Sequence, residues 1–284
     1  MNSEMNESYR GRVRRPLLRY FGGKWQLRNW IIAHLPDHQF YAEPFAGAAS
    51  VLLAKAPSPA GEIINDLNGD VINLFRVMQS ADQGSELQRR LDWTPYAQAE
   101  LRAASEATDD PVERARRMVV RSFMGIEGSG MVGSVSGFRM GNVDLSRVDQ
   151  VGKRTFRNCA IDWMNWKEAL GAIRDRLARV MIYDRDALDF IRLMNSPDCL
   201  LYVDPPYHHG ARASARYAVE FMAHTKLVDA LLSTSAKVVL SGYDCPEYRP
   251  LANAGWERIE RVYRANMSLR PRVEVLWIKG NSRS

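Results

Sequence analysis

The chain has 284 residues, 46% hydrophobic and 25% charged, which suits one α/β domain with a buried core and a sizeable insertion. No run approaches the ~18 apolar residues of a membrane span, and the polar, then basic stretch Met1 to Arg15 lacks a secretory core, so the reading is cytoplasmic. Lys and Arg number 39 against 33 Asp and Glu, a formal charge of +6 that favours a polyanionic partner. Cys159, Cys199 and Cys245 are too scattered for a disulfide framework or a zinc site. His208-His209 has no partner at ligand spacing, so no metal is expected.

Residues 1–15 read as a flexible basic tail. From Pro16 a short apolar run leads into Arg19-Tyr20-Phe21-Gly22-Gly23-Lys24. The spacing of Trp25, Leu27, Trp30, Ile31 and Leu35 predicts a helix that Pro36 stops. Phe40 to Glu43 is a short strand entering Pro44-Phe45-Ala46-Gly47-Ala48-Ala49-Ser50, and a helix follows over Val51 to Lys55. Glu62 to Asp66 is the next strand and Asn68 to Gln79 the next helix. This alternation is the βαβ signature of a parallel sheet.

The middle of the chain changes character. Residues 80–120 are charged helix formers, and Gly125 to Gly141 holds six glycines and three serines in seventeen positions around Phe138 and Arg139. A loop of that length in a compact domain is usually functional. Trp166 to Ala178 is helical again. Then Val180 to Tyr183 (strand), Ala187 to Met194 (helix), Cys199 to Val203 (strand), Lys226 to Ser233 (helix), Lys237 to Ser241 (strand) and Val273 to Ile278 (strand) return to α/β alternation.

Chemistry concentrates where these strands end. The buried run Leu200 to Val203 meets Asp204-Pro205-Pro206-Tyr207, and open α/β sheets bind ligands at the carboxyl ends of their strands. The Asp204 carboxylate and the Pro205 carbonyl can accept both hydrogens of a planar amino group, Pro206 stiffens the turn, and Tyr207 can stack on the ring bearing that amine. The bland alternative is a proline-stiffened strand end. Gly47 and its alanine neighbours allow a ligand close to backbone at a helix start. Asp66, about 20 residues on, stands where an acid binds a ribose, although a helix cap is the competing role and Asn68 could supply it. Lys24 lacks the rest of a phosphate-loop pattern, and a lone lysine after glycines is usually solvated.

Taken in order, Tyr20-Phe21-Gly22-Gly23-Lys24, Glu43-Pro44-Phe45-Ala46-Gly47, Asn65-Asp66 and Asp204-Pro205-Pro206-Tyr207 resemble the Dam-type DNA adenine-N6 methyltransferases. Arg212 to Tyr217, Leu240-Ser241-Gly242-Tyr243-Asp244 and Glu274-Val275-Leu276-Trp277 resemble their phage-type members, and the likeness spans about residues 16–279. It implies a Rossmann-like mixed seven-stranded sheet flanked by helices, with an inserted, mainly helical and loop target-recognition domain. The catalytic domain would comprise 16–72 and 164–284, and 73–163 would recognise DNA. It also implies S-adenosylmethionine as the methyl donor, held by Tyr20, Phe21, Gly23, Lys24, Glu43, Pro44, Phe45, Gly47, Asp66 and Asp204, with Asp186 near the donor's adenine. Asp204, Pro205, Pro206 and Tyr207 would be catalytic. Arg121, Arg139, Arg147, Arg212 and Tyr217 would contact double-stranded DNA, approached by a monomer or by a dimer formed on it. The turn Ala46-Gly47-Ala48-Ala49 has fewer glycines than the family often shows. The stretch Arg121 to Arg147 does not reproduce the recognition hairpin of the enterobacterial enzymes, which leaves the target sequence open.

Rival readings part from this one at single residues. Cytosine-N4 methyltransferases more often carry Ser, and protein-glutamine methyltransferases Asn, at the position of Asp204. Carbon-5 cytosine chemistry needs a Pro-Cys nucleophile, and no cysteine here follows a proline. A dinucleotide-dependent oxidoreductase would use Gly47 and Asp66 and leave the Asp204 motif without a task. A catalytically silent DNA-binding protein would not need that motif intact.

Overall fold

The computed structural model describes residues 13–20, 22–126, 137–140, 158–206, 223–263 and 271–280. Phe21, Arg147, Tyr207, Arg212 and Tyr217 lie outside the described residues. Seven strands form one sheet: β1 (Phe40–Glu43), β2 (Gly61–Asn65), β3 (Val180–Tyr183), β4 (Cys199–Val203), β5 (Lys237–Gly242), β6 (Glu257–Tyr263) and β7 (Arg272–Lys279), in the order β3-β2-β1-β4-β5-β7-β6. The pairs from β3 through β5 are parallel, and β7 runs antiparallel to both its neighbours. The expected mixed seven-stranded α/β sheet is therefore present.

The pleat splits the core into two. Tyr41, Ile64, Leu200, Tyr202, Val239, Leu276 and Ile278 face one layer, and Ala42, Ile63, Leu201, Val203, Val238, Leu240, Val275 and Trp277 face the other. The first face is covered by α1 (Arg28–Ile32), α2 (Ser50–Ala54), α3 (Gly69–Gln79), α4 (Ala81–Asp92), α5 (Gln98–Ala103), α6 (Pro111–Met124), α7 (Cys159–Lys167) and α8 (Leu170–Leu177). The second is covered by α9 (Ala187–Leu193), α10 (His224–Ser233) and α11 (Arg249–Asn253).

Several boundaries differ from expectation for identifiable reasons. The helix expected over Trp25 to Leu35 is a 3-10 turn, Lys24–Gln26, followed by the short α1. The tail is anchored before its expected end: Val13 is buried, Arg15 lies 3.9 Å from Asp162, and Trp166 Nε1 donates to the Pro16 carbonyl at 2.8 Å. The 72/73 boundary falls inside α3, and Leu87, Leu101, Met118 and Trp163 of the middle region share a core with Tyr41 and Ile64 of the sheet. The middle region is thus welded to the sheet along α3 and α6 rather than held on a linker.

Candidate functional site

Pairing order alone marks the place where a ligand belongs. From β1 the chain moves outward to β2 on one side, whereas β4, on the other side of β1, leads to β5, so the strand order reverses between β1 and β4. A crevice outside the carboxyl ends of such strands is where open α/β sheets bind ligands. A cleft with about 880 Å³ of empty space lies there. Its walls come from Tyr20, Gly22, Gly23 and Lys24, the end of β1 and the turn after it (Glu43 to Ala48), the end of β2 and the turn after it (Asn65 to Asn68), and Tyr202, Asp204 and Pro206 at the end of β4. Of the expected donor residues, Tyr20, Gly23, Lys24, Glu43, Pro44, Phe45, Gly47, Asp66 and Asp204 all line this one cleft.

Asp66 holds two backbone segments together. Its Oδ2 accepts from the Gly47 N–H and its Oδ1 from the Asn68 N–H, both at 2.8 Å. Asn68 itself caps α3 by accepting from the Asp70 N–H, so the cap and the strand-end acid are different residues. Burial pushes the Asp66 carboxyl above its usual range, and the backbone donors oppose that shift. Gly47 needs its glycine: φ is +49°, and an added Cβ would meet the Tyr20 ring at 3.4 Å. Ala49 takes φ +47° and ψ +41° in the same turn, a left-handed backbone that costs an alanine roughly 1–2 kcal/mol. Strain of this kind gathers at binding sites, where the surroundings hold it in place.

Lys24 is not the solvated cation that its isolation in the sequence suggests. Only 3% of its side chain is exposed, and its Nζ donates to Asp204 Oδ1 at 2.7 Å and to the Gly22 carbonyl at 3.0 Å. The pair forms only when the 3-10 turn Lys24–Gln26 packs against the end of β4, 180 positions away, and nothing local in the sequence marks it. Burial raises the Asp204 carboxyl to about 6, with Lys24 pulling down and Glu274 pushing up. One carboxylate oxygen is thereby committed to the ammonium. Pro206 lines the cleft and Pro205 is buried beside it. Glu43 is buried too, and its Oε1 accepts from the Tyr41 hydroxyl at 2.8 Å and the Leu52 N–H at 2.9 Å. Desolvation lifts its carboxyl to about 8.

Two expected residues stand elsewhere or do something else, and a third is held by its backbone. Asp186 is exposed and caps α9 through Oδ1, accepting from the Leu188 and Asp189 N–H groups. Its neighbour Ala187 lines the cleft instead. Arg121 is drawn inward: its guanidinium donates to the Ala104 carbonyl at 2.6 Å and to Asp70 Oδ2 at 3.0 Å, fastening α6 to α3. Helical spacing places it on the face that packs against α3 and not on an outer one. Arg139 is half-buried, and its backbone is clamped on both sides, with its N–H donating to the Met124 carbonyl at 2.7 Å and its carbonyl accepting from the Tyr96 hydroxyl at 2.6 Å. The ring of the preceding residue, Phe138, leans on Tyr96 with centroids 5.1 Å apart.

Sequence reading missed Tyr202, Ser241 and Glu274 as parts of the site. The period-2 pleat carries the signal: Tyr202, Asp204, Ser241 and Glu274 share the face that looks toward Lys24. No group of three or more metal-ligating side chains occurs among the described residues, and no helix there is long and apolar enough to cross a membrane.

Comparison with known proteins agrees with the geometry. Residues 20–110 match the family described as D12 class N6 adenine-specific DNA methyltransferase. A DNA adenine methylase of Salmonella typhi is 25% identical over 279 residues, covering 92% of this chain and 94% of that protein. One from Salmonella typhimurium is 35% identical over 106 residues, covering 36% of this chain and 37% of its own, and one from Escherichia coli K12 is 38% identical over 65 residues, covering 23% of each.

Proposed function

We propose that the chain is an adenine-specific DNA methyltransferase of the Dam type, which takes its methyl group from S-adenosylmethionine and acts on an adenine flipped out of double-stranded DNA. The observation that carries this reading is the meeting of Asp204, Lys24 and Asp66 at one cleft between β1 and β4. The residues fit the donor. The positive-φ turn at Gly47 would let backbone come close to the donor, and Asp66 would take its ribose hydroxyls. The Tyr202 hydroxyl on the cleft wall is buried and makes no well-formed hydrogen bond among the described residues. S-adenosylmethionine supplies an electrophilic methyl carried on a sulfonium.

The protein's own part is to aim and to polarise. The lone pair of adenine's amino group is delocalised into its ring. Hydrogen bonds from both amino hydrogens to Asp204 and the Pro205 carbonyl would concentrate that pair on nitrogen and point it across the cleft. With Oδ1 held by Lys24, the acceptor left for the amine is Oδ2. The base cannot reach this depth from within a duplex, so flipping is required, and Tyr207, next in sequence, would stack on it. The segments 16–72 and 164–284 would form the catalytic part and 73–163 the recognition part, working as a monomer or as a dimer on DNA, in the cytoplasm. Arg139, Arg147, Arg212 and Tyr217 are proposed DNA contacts.

The test is methyl transfer from labelled donor to duplex DNA, with the product nucleoside identified. Wild type yields N6-methyladenine, and Asp204→Ala remains folded and loses transfer by at least about 100-fold, the scale of removing one preorganised acceptor. Label on cytosine, or activity persisting in Asp204→Ala, refutes the assignment.

A further inference from the structure

A second carboxylate lies behind the catalytic one. Glu274 sits on β7, two strands away from Asp204, and its side chain has 0% exposure. A fully buried glutamate in the middle of a sheet is costly to desolvate and is retained only where charge or hydrogen bonding compensates. Here its Oε1 lies 3.5 Å from Lys24 Nζ and accepts a 2.7 Å hydrogen bond from Ser241 Oγ on the adjoining β5. Two carboxylates therefore share one buried ammonium. Asp204 reaches the cleft, with 19% of its side chain exposed, whereas Glu274 does not.

We propose that Glu274, anchored by Ser241, is a positioning residue that holds Lys24 from behind and keeps Asp204 a strong hydrogen-bond acceptor for the substrate amine. This rests on the methyltransferase reading of the cleft. A lysine facing Asp204 alone would give the carboxylate its whole charge and weaken it as an acceptor. Divided between two carboxylates, the same lysine fixes the position of Asp204 without quenching it. The other ionisable groups around Asp204 are Glu43 from β1, Tyr202 from β4 and Tyr248 from the turn Pro246–Tyr248. Tyr263 from β6 faces Glu274. All three tyrosines are held above their usual range, chiefly by burial, so they stay neutral over the working pH range. Of the remaining neighbours, Glu274 is the carboxylate that shares Lys24 with Asp204; burial chiefly raises the Asp204 carboxyl to about 6, Lys24 opposes that, and Glu274 adds to it.

Removing the charge of Glu274 while keeping its shape lets Asp204 ionise more readily, so its titration must move to lower pH. The experiment follows the carboxyl-carbon NMR signal of Asp204 across pH in wild type, Glu274→Gln and Glu274→Asp, without donor or DNA, alongside kcat and KM for methyl transfer. Glu274→Gln is expected to shift the Asp204 titration and the acid limb of kcat/KM downward together. It should lower kcat on the order of tenfold, the usual scale for losing an outer support of a reacting group, and change donor affinity much less. Glu274→Asp, which keeps the charge, should stay near the wild-type titration. An Asp204 signal unmoved in Glu274→Gln overturns the inference, as does a kcat loss that only tracks loss of folded protein on melting. A shifted titration in a protein that transfers no methyl group would leave the electrostatic coupling standing and refute the enzymatic reading alone.

Discussion

Asp66→Ala separates two tasks of one carboxylate, the backbone clasp that is observed and the ribose contact that is proposed. The side chain accepts one backbone N–H on each oxygen, from Gly47 and from Asn68, and is proposed to take ribose hydroxyls with its remaining lone pairs. Alanine leaves both backbone donors without this acceptor, at about 1–3 kcal/mol for each that water does not reach. It also deletes a charge-assisted contact to the donor worth roughly 1.5–3 kcal/mol. Since 1.4 kcal/mol is tenfold in affinity, the donor Kd should rise roughly ten- to a hundredfold. Urea unfolding and calorimetry with S-adenosylmethionine or its demethylated product read the two tasks independently. Asp66→Asn sharpens the comparison, because its remaining oxygen can satisfy only one of the two N–H groups while its amide must turn a donor toward the other. A loss of stability with an unchanged donor Kd in both variants would refute the ribose role and leave Asp66 as the clasp of the Gly47 turn.

Three further outcomes follow from charge and exposure. Glu43 titrates at about 8 in the fold against 4.5 unfolded, so the folded state holds its proton more tightly. Its contribution to stability is therefore greatest below pH 4.5, falls as pH rises toward about 8, and is flat above. Glu43→Gln removes that slope, so its melting temperature should gain on wild type through this window; parallel melting curves at all pH values would refute the burial argument. Arg139→Ala should cost about 1–3 kcal/mol at the cognate DNA site and relax preference at one position if it reads a base. A uniform loss across sites with a flatter salt dependence marks a phosphate contact instead. Arg121→Ala, by contrast, should lower stability and leave DNA preference alone, because that side chain ties α6 to α3.

How much of this was legible in the sequence depends on the range of the interactions involved. Apolar β-formers that end at Pro or an acid announce themselves: the bounds expected for β1, β3 and β4 match those observed, since such runs have few other conformations. β6 is not legible because, unlike β3 at the opposite edge, it carries no apolar run. Glu257-Arg258-Ile259-Glu260-Arg261-Val262-Tyr263 is exposed along most of its length, and its pairing with β7 does not need an apolar face. The site divides in the same way. Residues that follow directly from strand ends (Gly47, Asp66, Asp204) could be named because topology fixes where strand ends go. Lys24 and Glu274 meet Asp204 across 180 and 70 positions of chain, and such contacts leave no local pattern. What the sequence did retain of them is a pair of local costs. One is a buried charge in an apolar strand, Glu274 within Val273 to Ile278; the other is an alanine, Ala49, in a turn that prefers glycine. Each breaks the rule of its own element, and in the fold both stand next to residues that line the same cleft, Glu274 across Lys24 from Asp204 and Ala49 in the turn that carries Gly47. A residue that contradicts its local environment is therefore the better guide to this site than one that conforms, because only tertiary structure can compensate the cost of keeping it.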